Sequence, residues 1–225
     1  MTRPLAVDID GTLTDGAGAV DPRVCEVLRE WPAPVVLATG KAFPYPVALA
    51  HFLAVERNVV AENGGVSVVG DDLAVHGDGA AARAVADAYR ERGFDLGWGG
   101  LDLTNRWRET EVAVSRERPL APLEEIAAER GLDVVDTGYA YHVKSPDVSK
   151  GRALGSVAAR LGIDVSEFAA IGDSENDARM FDVVGVAYAV ANADDHARRA
   201  ADRVTDAGYA DGFLEAAADL SARDS

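Results

Sequence analysis

Short, mostly apolar runs that each stop at a polar or glycine-containing stretch punctuate this chain, and helix-like stretches fill the gaps between them. Residues 4–9 run into Asp10-Gly11, residues 34–38 into Thr39-Gly40, residues 58–61 into Glu62-Asn63-Gly64-Gly65, and residues 168–171 into Gly172-Asp173. A further run occupies 186–190. Runs this short, with no helical period, read as strands buried on both faces. Between them, Asp21 and Pro22 mark an N-cap and first helical position, followed by Val24, Val27, Leu28 and Trp31 at helical spacing. Helices are likewise expected around 46–53, 151–161 and 177–181. Strands alternating with helices imply βαβ units, hence an α/β fold with a Rossmann-like parallel sheet and helices on both faces.

The texture changes in the middle of the chain. Residues 66–69 and 73–75 read as a hairpin. Beyond it come a helix at 81–92, alternating segments at 111–115 and 139–143, and a helix near 122–129. This is the pattern of a small inserted α+β unit. The expected organisation is therefore one domain interrupted by another, with residues 1–79 and 148–225 as the core and 80–147 as the insert.

Composition excludes several classes of function. With 38 acidic against 22 basic residues the formal charge is −16, which repels polyanions, so no nucleic-acid partner is expected. No apolar run approaches the roughly 20 residues a spanning helix needs, and the first residues turn acidic before a signal-peptide core develops. A cytoplasmic protein with no membrane partner is the expectation. The lone Cys25 rules out an internal disulfide and a thiolate metal site. Only Lys41, Lys144 and Lys150 are lysines among the basic residues, in an acidic, alanine-rich chain. Such a surface resembles that of halophilic proteins, whose self-repulsion is screened by concentrated salt. Thermal stability is accordingly expected to rise from low salt to multimolar potassium chloride, and a flat melting temperature across that series would count against this reading.

The strand tips carry the chemistry. In an extended segment, residues two apart point the same way, so Asp8 and Asp10 of Asp8-Ile9-Asp10-Gly11-Thr12 converge beyond one strand end. Two such anions need a counter-charge. Mg²⁺ suits them because it prefers oxygen ligands and bridges carboxylates to phosphate, although alone the run also fits a turn or a calcium loop. Asp173 and Asp177 of Gly172-Asp173-Ser174-Glu175-Asn176-Asp177 lie at a second strand tip, and one sheet would gather all four carboxylates around one metal. Thr39-Gly40 offers a hydroxyl and a close-approaching backbone to phosphate oxygens. Lys150 opens a helix just after the insert, where its ammonium can reach a phosphate dianion.

Asp8-Ile9-Asp10-Gly11-Thr12-Leu13, then Thr39-Gly40, then Lys150, then Gly172-Asp173-Ser174-Glu175-Asn176-Asp177, in this order, resemble the haloacid dehalogenase superfamily of phosphohydrolases. The insert position, with Glu62-Asn63-Gly64-Gly65, resembles the subgroup with a Cof-type or sucrose-phosphatase-like α/β cap, and the short chain is most similar to its archaeal phosphoglycolate phosphatase branch. The resemblance implies that Asp8 attacks phosphorus to form an aspartyl phosphate, and that Asp10, fixed by Thr12, protonates the leaving alcohol and then activates water. It implies that Thr39, Gly40, Lys150 and Asn176 meet the phosphate or substrate. Asp8, the backbone carbonyl of Asp10, Asp173 and Asp177 would hold Mg²⁺, and the cap would set specificity. The substrate would be a small phosphate ester, 2-phosphoglycolate first, with a sugar phosphatase or phosphomutase of the same superfamily as the alternative. A purely binding protein has no evident reason to keep a nucleophile beside an acid. Trp98, Trp107, Tyr139, Tyr141 and His142 are candidates for the mouth of the site, and Arg106, Arg108 and Lys144 for a substrate carboxylate. A homodimer is left open.

Overall fold

The computed structural model describes residues 2–223. Strand β1 (Leu5–Asp8) leads into helix α1 (Pro22–Glu30), whose N-cap Asp21 accepts a hydrogen bond from Arg23 N at 2.9 Å. Strand β2 (Val35–Ala38), helix α2 (Pro44–Leu53) and strand β3 (Asn58–Ala61) complete the first half. The hairpin β4 (Val66–Val69) and β5 (Asp72–Val75) follows. The insert then contributes α3 (Gly79–Glu91), β6 (Val112–Ser115), α4 (Leu120–Ala128), β7 (Asp133–Asp136) and β8 (Ala140–Lys144). The chain returns through α5 (Lys150–Leu161), β9 (Ala169–Gly172), α6 (Glu175–Phe181), β10 (Val186–Ala189), α7 (Asp195–Ala200), β11 (Arg203–Val204) and α8 (Tyr209–Arg223).

The main sheet has the order β11-β10-β9-β1-β2-β3-β4-β5. Six strands from β11 to β3 run parallel, while β4 and β5 are antiparallel and form one edge. Alternate residues of β1 enter different cores, as pleating requires. Leu5 and Val7 pack with Leu28, Leu37 and Phe213, whereas Ala6 packs with Leu154, Phe168 and Met180 on the opposite face. Parallel strands buried on both faces are therefore apolar throughout, which is why the runs were visible in sequence.

Strand β1 sits between β9 and β2, with Leu5 opposite both Val35 and Ala169. The chain winds outward from β1 in one direction first and returns on its other side, so the β1–β9 boundary is the topological switch point. In open α/β sheets the crevice beyond the carboxyl ends at that point is where ligands bind. Asp8 pairs in register with Ala38, which brings Thr39 beside it.

The insert forms a three-stranded antiparallel sheet of order β6-β8-β7. Val85 and Tyr89 of α3, Leu123 and Ile126 of α4, and Val114 and Val143 of the sheet make its own apolar core. The hairpin expected at 66–69 and 73–75 continues the main sheet, because β4 pairs directly with β3, while two strands were absent from the sequence reading. Strand β7 carries only two apolar residues between aspartates and lies half-exposed at an edge, so no periodicity announced it. Strand β11 is two residues long, below the reach of any pattern. Among the described residues no helix is long and apolar enough to cross a membrane.

Candidate active site

Lys150 organises the centre. It is the first residue of α5, capped by Ser149, and the helix approaches α6 so closely that a Cβ at Gly151 would lie 1.9 Å from the Arg179 carbonyl oxygen. That approach delivers the ammonium, 1% exposed as a residue, between two carboxylates. Lys150 Nζ donates to Asp8 Oδ1 at 2.6 Å and to Asp177 Oδ1 at 2.7 Å. Burial alone would lower the Lys150 pKa, but the charges of Asp177 and Asp8 outweigh it and raise it.

Asp173 and Asp177 come from the tip of β9 and the first turn of α6. Asp177 Oδ2 accepts the backbone N–H groups of Asp173 at 3.0 Å and Ser174 at 3.1 Å, which closes the turn at the head of α6. Gly11, with φ +78°, brings the loop after β1 against this turn, where a Cβ would stand 2.0 Å from Asp173 Oδ2. One oxygen from each of Asp8, Asp173 and Asp177 lies within 4.8 Å of the others.

Three carboxylates thus face one ammonium. Burial, with Asp177 and Asp173 adding repulsion against the pull of Lys150, pushes the Asp8 carboxyl well above its ordinary range. Asp173 is pushed up to about 7, by burial first and by Asp177 second. Among the described residues Asp8 Oδ2 is buried without a hydrogen-bond partner. An orphaned carboxylate oxygen within an all-oxygen donor set, short of positive charge, fits a hard divalent cation. Asp177 is already engaged at both oxygens, so its main visible work is to hold Lys150 and the α6 turn.

Asp10 stands apart from this cluster. Its half-exposed side chain pairs with Lys41 Nζ and accepts a longer hydrogen bond, 3.4 Å, from the Thr39 hydroxyl. Thr39 Oγ1 in turn accepts from Lys41 N at 3.0 Å. Thr12 does not fix Asp10 as expected, since Thr12 Oγ1 is buried with no hydrogen-bond partner. Thr12 is fully buried, and it is Lys41 that pairs with Asp10.

The cluster opens into a cavity of about 370 Å³. Asp8, Asp10, Gly40 and Asp173 line its strand-tip end, and Arg108, Tyr139 and His142 of the insert line the other. Of the remaining candidates, Trp98 stacks on Tyr139 with ring centroids 5.6 Å apart and donates its indole N–H to Ala113 O, and Trp107 meets Tyr45 edge-on. Tyr141 packs against the insert's core, and Lys144 Nζ bonds to the Val148 carbonyl. None of these four lines the cavity, nor does Arg106.

A clasp that sequence reasoning missed ties the insert to the core. Glu62 and Asn63 both adopt left-handed backbone conformations, φ 52° and 55°, each an unfavourable geometry for a residue other than glycine. Glu62 is fully buried and accepts from the backbone N–H of Glu109 and Thr110 and from the Thr110 hydroxyl. Burial raises its pKa against the opposing pull of those donors. Asn63 Nδ2 donates to Glu111 at 3.1 Å, while Asn63 Oδ1 accepts from Asn176 Nδ2 at 3.0 Å. Asn192, at the end of β10, spans Gly11 O at 3.0 Å and Asp173 Oδ2 at 3.5 Å. It sits just beyond a strand tip, like the acidic residues, and that position was the available signal.

A family model described as haloacid dehalogenase-like hydrolase matches residues 124–216. A Haloarcula marismortui protein named phosphoglycolate phosphatase is 62% identical over 219 residues, covering 96% of each chain. A protein of the same name from Archaeoglobus fulgidus is 41% identical over 217 residues, covering 95% of each. A Thermoplasma acidophilum crystal structure superposes with a TM-score of 0.86 at 26% identity, covering 98% of this chain and 99% of that one. The order of the strand-tip motifs, the switch-point cluster and full-length likeness to these relatives lead to one assignment: the chain belongs to the haloacid dehalogenase-like hydrolases.

Proposed function

We propose that this protein is a Mg²⁺-dependent phosphatase that hydrolyses 2-phosphoglycolate to glycolate and phosphate through an aspartyl-phosphate intermediate on Asp8. The observation that carries the reading is the buried Asp8 carboxylate, held at Oδ1 by Lys150 and unpartnered at Oδ2, on the wall of the cavity. A volume of about 370 Å³ lies near the bottom of the roughly 300–1,000 Å³ range of small-molecule sites, which suits a small ester. The names of the relatives supply the particular substrate.

In the proposed reaction Asp8 attacks phosphorus in line as the bond to the leaving oxygen breaks, and Asp10 donates a proton to that oxygen. Asp10 then takes a proton from water, whose oxygen attacks the phosphoryl group and frees Asp8. Lys150 fixes the nucleophile's orientation and offsets charge, and the Thr39 hydroxyl and Gly40 backbone bind phosphoryl oxygens, positioning being most of the catalytic work in phosphoryl transfer. Asp8, the Asp10 carbonyl and Asp173 would hold Mg²⁺, with Asp177 adding charge behind them; the ion's contribution is to neutralise the phosphoryl oxygens. Residues 80–147 are assigned as the cap that sets specificity, closing over the strand tips through the Glu62–Asn63 clasp.

Phosphate release from 2-phosphoglycolate, compared with a panel of sugar phosphates in low and high salt, tests the substrate. Equal or better turnover of the sugar phosphates would overturn it. Chelation with EDTA should lower release by about 10²-fold or more, the scale of several kcal/mol of lost charge stabilisation. Mg²⁺ should restore turnover and Ca²⁺ should not, because calcium's looser, higher coordination misplaces the nucleophile. Undiminished turnover in EDTA would remove the metal from the scheme.

A further inference from the structure

At its insert end the cavity presents donors rather than acids. Two cationic side chains line it, Lys41 and Arg108, and Lys41 is paired with Asp10. Arg108 is almost completely buried and held from three sides. Its Nε donates to Thr104 O at 3.0 Å, and its Nη1 donates to Gly40 O at 2.9 Å and pairs with Glu111. Among the described residues none forms a hydrogen bond with Nη2.

Glu111 explains how that arginine can be kept in place without being turned away from the cavity. Its carboxylate is fully buried and absent from the cavity lining. It receives Arg108 Nη1, His142 Nδ1 at 2.8 Å and Asn63 Nδ2 at 3.1 Å. Burial alone would raise the Glu111 pKa, but His142 and Arg108 outweigh it and hold the carboxyl at about 2. An ionised carboxylate only accepts, so His142 carries its proton on Nδ1 and Nε2 is left over. Glu111 therefore grips both side chains from behind.

The hydrogen bond to Gly40 O adds a geometric link. Gly40 belongs to the loop assigned to the phosphate, so the guanidinium and the phosphate loop are positioned by one contact. A guanidinium fixed in this way keeps its charge and its Nη2 N–H groups for an anion in the cavity.

Resting on the phosphatase reading above, we propose that Arg108 is the specificity-determining residue that anchors the substrate's carboxylate, so that the site selects short phosphate monoesters whose far end is anionic.

The test compares 2-phosphoglycolate with 2-hydroxyethyl phosphate, which replaces the carboxylate by an alcohol. In the wild type the ratio of kcat/KM values should favour the carboxylate. In Arg108→Met that ratio should fall about 10- to 100-fold, as expected for one hydrogen bond between charged groups. The loss should sit mainly in KM for 2-phosphoglycolate. Arg108→Lys, which keeps charge but not the planar fork, should fall between the two. Arg108→Met combined with Glu111→Gln removes the stranded buried charge and gives the same ratio should the single variant not fold. A ratio within twofold of wild type in the variants would overturn the assignment while leaving the phosphatase reading intact. Absence of phosphate release from both esters in the wild type would take both down.

Discussion

Asp8→Asn is expected to reduce phosphate release by at least about 10⁴-fold, the scale seen when a nucleophile is removed from an enzyme, while the folded protein persists. The carboxamide keeps an oxygen for Lys150 Nζ, which also retains Asp177. Its amide nitrogen replaces Oδ2, an atom with no partner in the native protein. The substitution also removes one of three gathered carboxylates, the one whose pKa is raised by burial first and then by repulsion from Asp177 and Asp173. The melting temperature should thus equal or exceed that of the wild type, measured without metal by calorimetry. Turnover close to wild type would dispose of Asp8 as the nucleophile.

Lys150→Met should cost both activity and stability. Loss of one preorganised electrostatic partner corresponds to about 10²–10³ in kcat. Breaking a buried ion pair from one side costs about 3–5 kcal/mol, because the partner charges are left uncompensated. The pH dependence follows from the raised Asp8 and Asp173 pKa values. Raised carboxylates bind more protons folded than unfolded, so stability falls as pH rises through the folded value. In metal-free protein the deficit of Lys150→Met relative to wild type should be smallest in acid and grow as pH rises past about 7, near the Asp173 value. A deficit that does not change with pH in urea unfolding would show that Lys150 is not the counter-charge of this cluster.

The strand tips were legible because their signals are local. A buried parallel strand is apolar and ends abruptly, so Asp8, Thr39 and Asp173 announce themselves at its carboxyl end, whereas the hydrogen bonds from Lys150 to Asp8 and Asp177 were not part of the expectation, which had its ammonium reaching a phosphate. Thr12 was misread because the loop geometry, not the spacing, decides which way a side chain turns. Lys41 was overlooked despite being one of only three lysines and adjoining Gly40. The clasp was beyond reach for a different reason. Glu62 and Asn63 act on partners 47 and 48 residues away, through backbone conformations that no side-chain pattern encodes. Strand β7 follows the same logic on a smaller scale, since it exists by pairing with β8 and not by its own propensity.

The clasp has a consequence for exchanging inserts between related proteins. Residues 62–63 lie before α3, yet their side chains complete the hydrogen bonding of residues 109–111 inside the insert. A graft cut at the two chain crossings would leave the recipient's turn facing a foreign surface, with a buried carboxylate and two amides stranded. The transplantable module is therefore discontinuous: the insert together with the turn that follows β3.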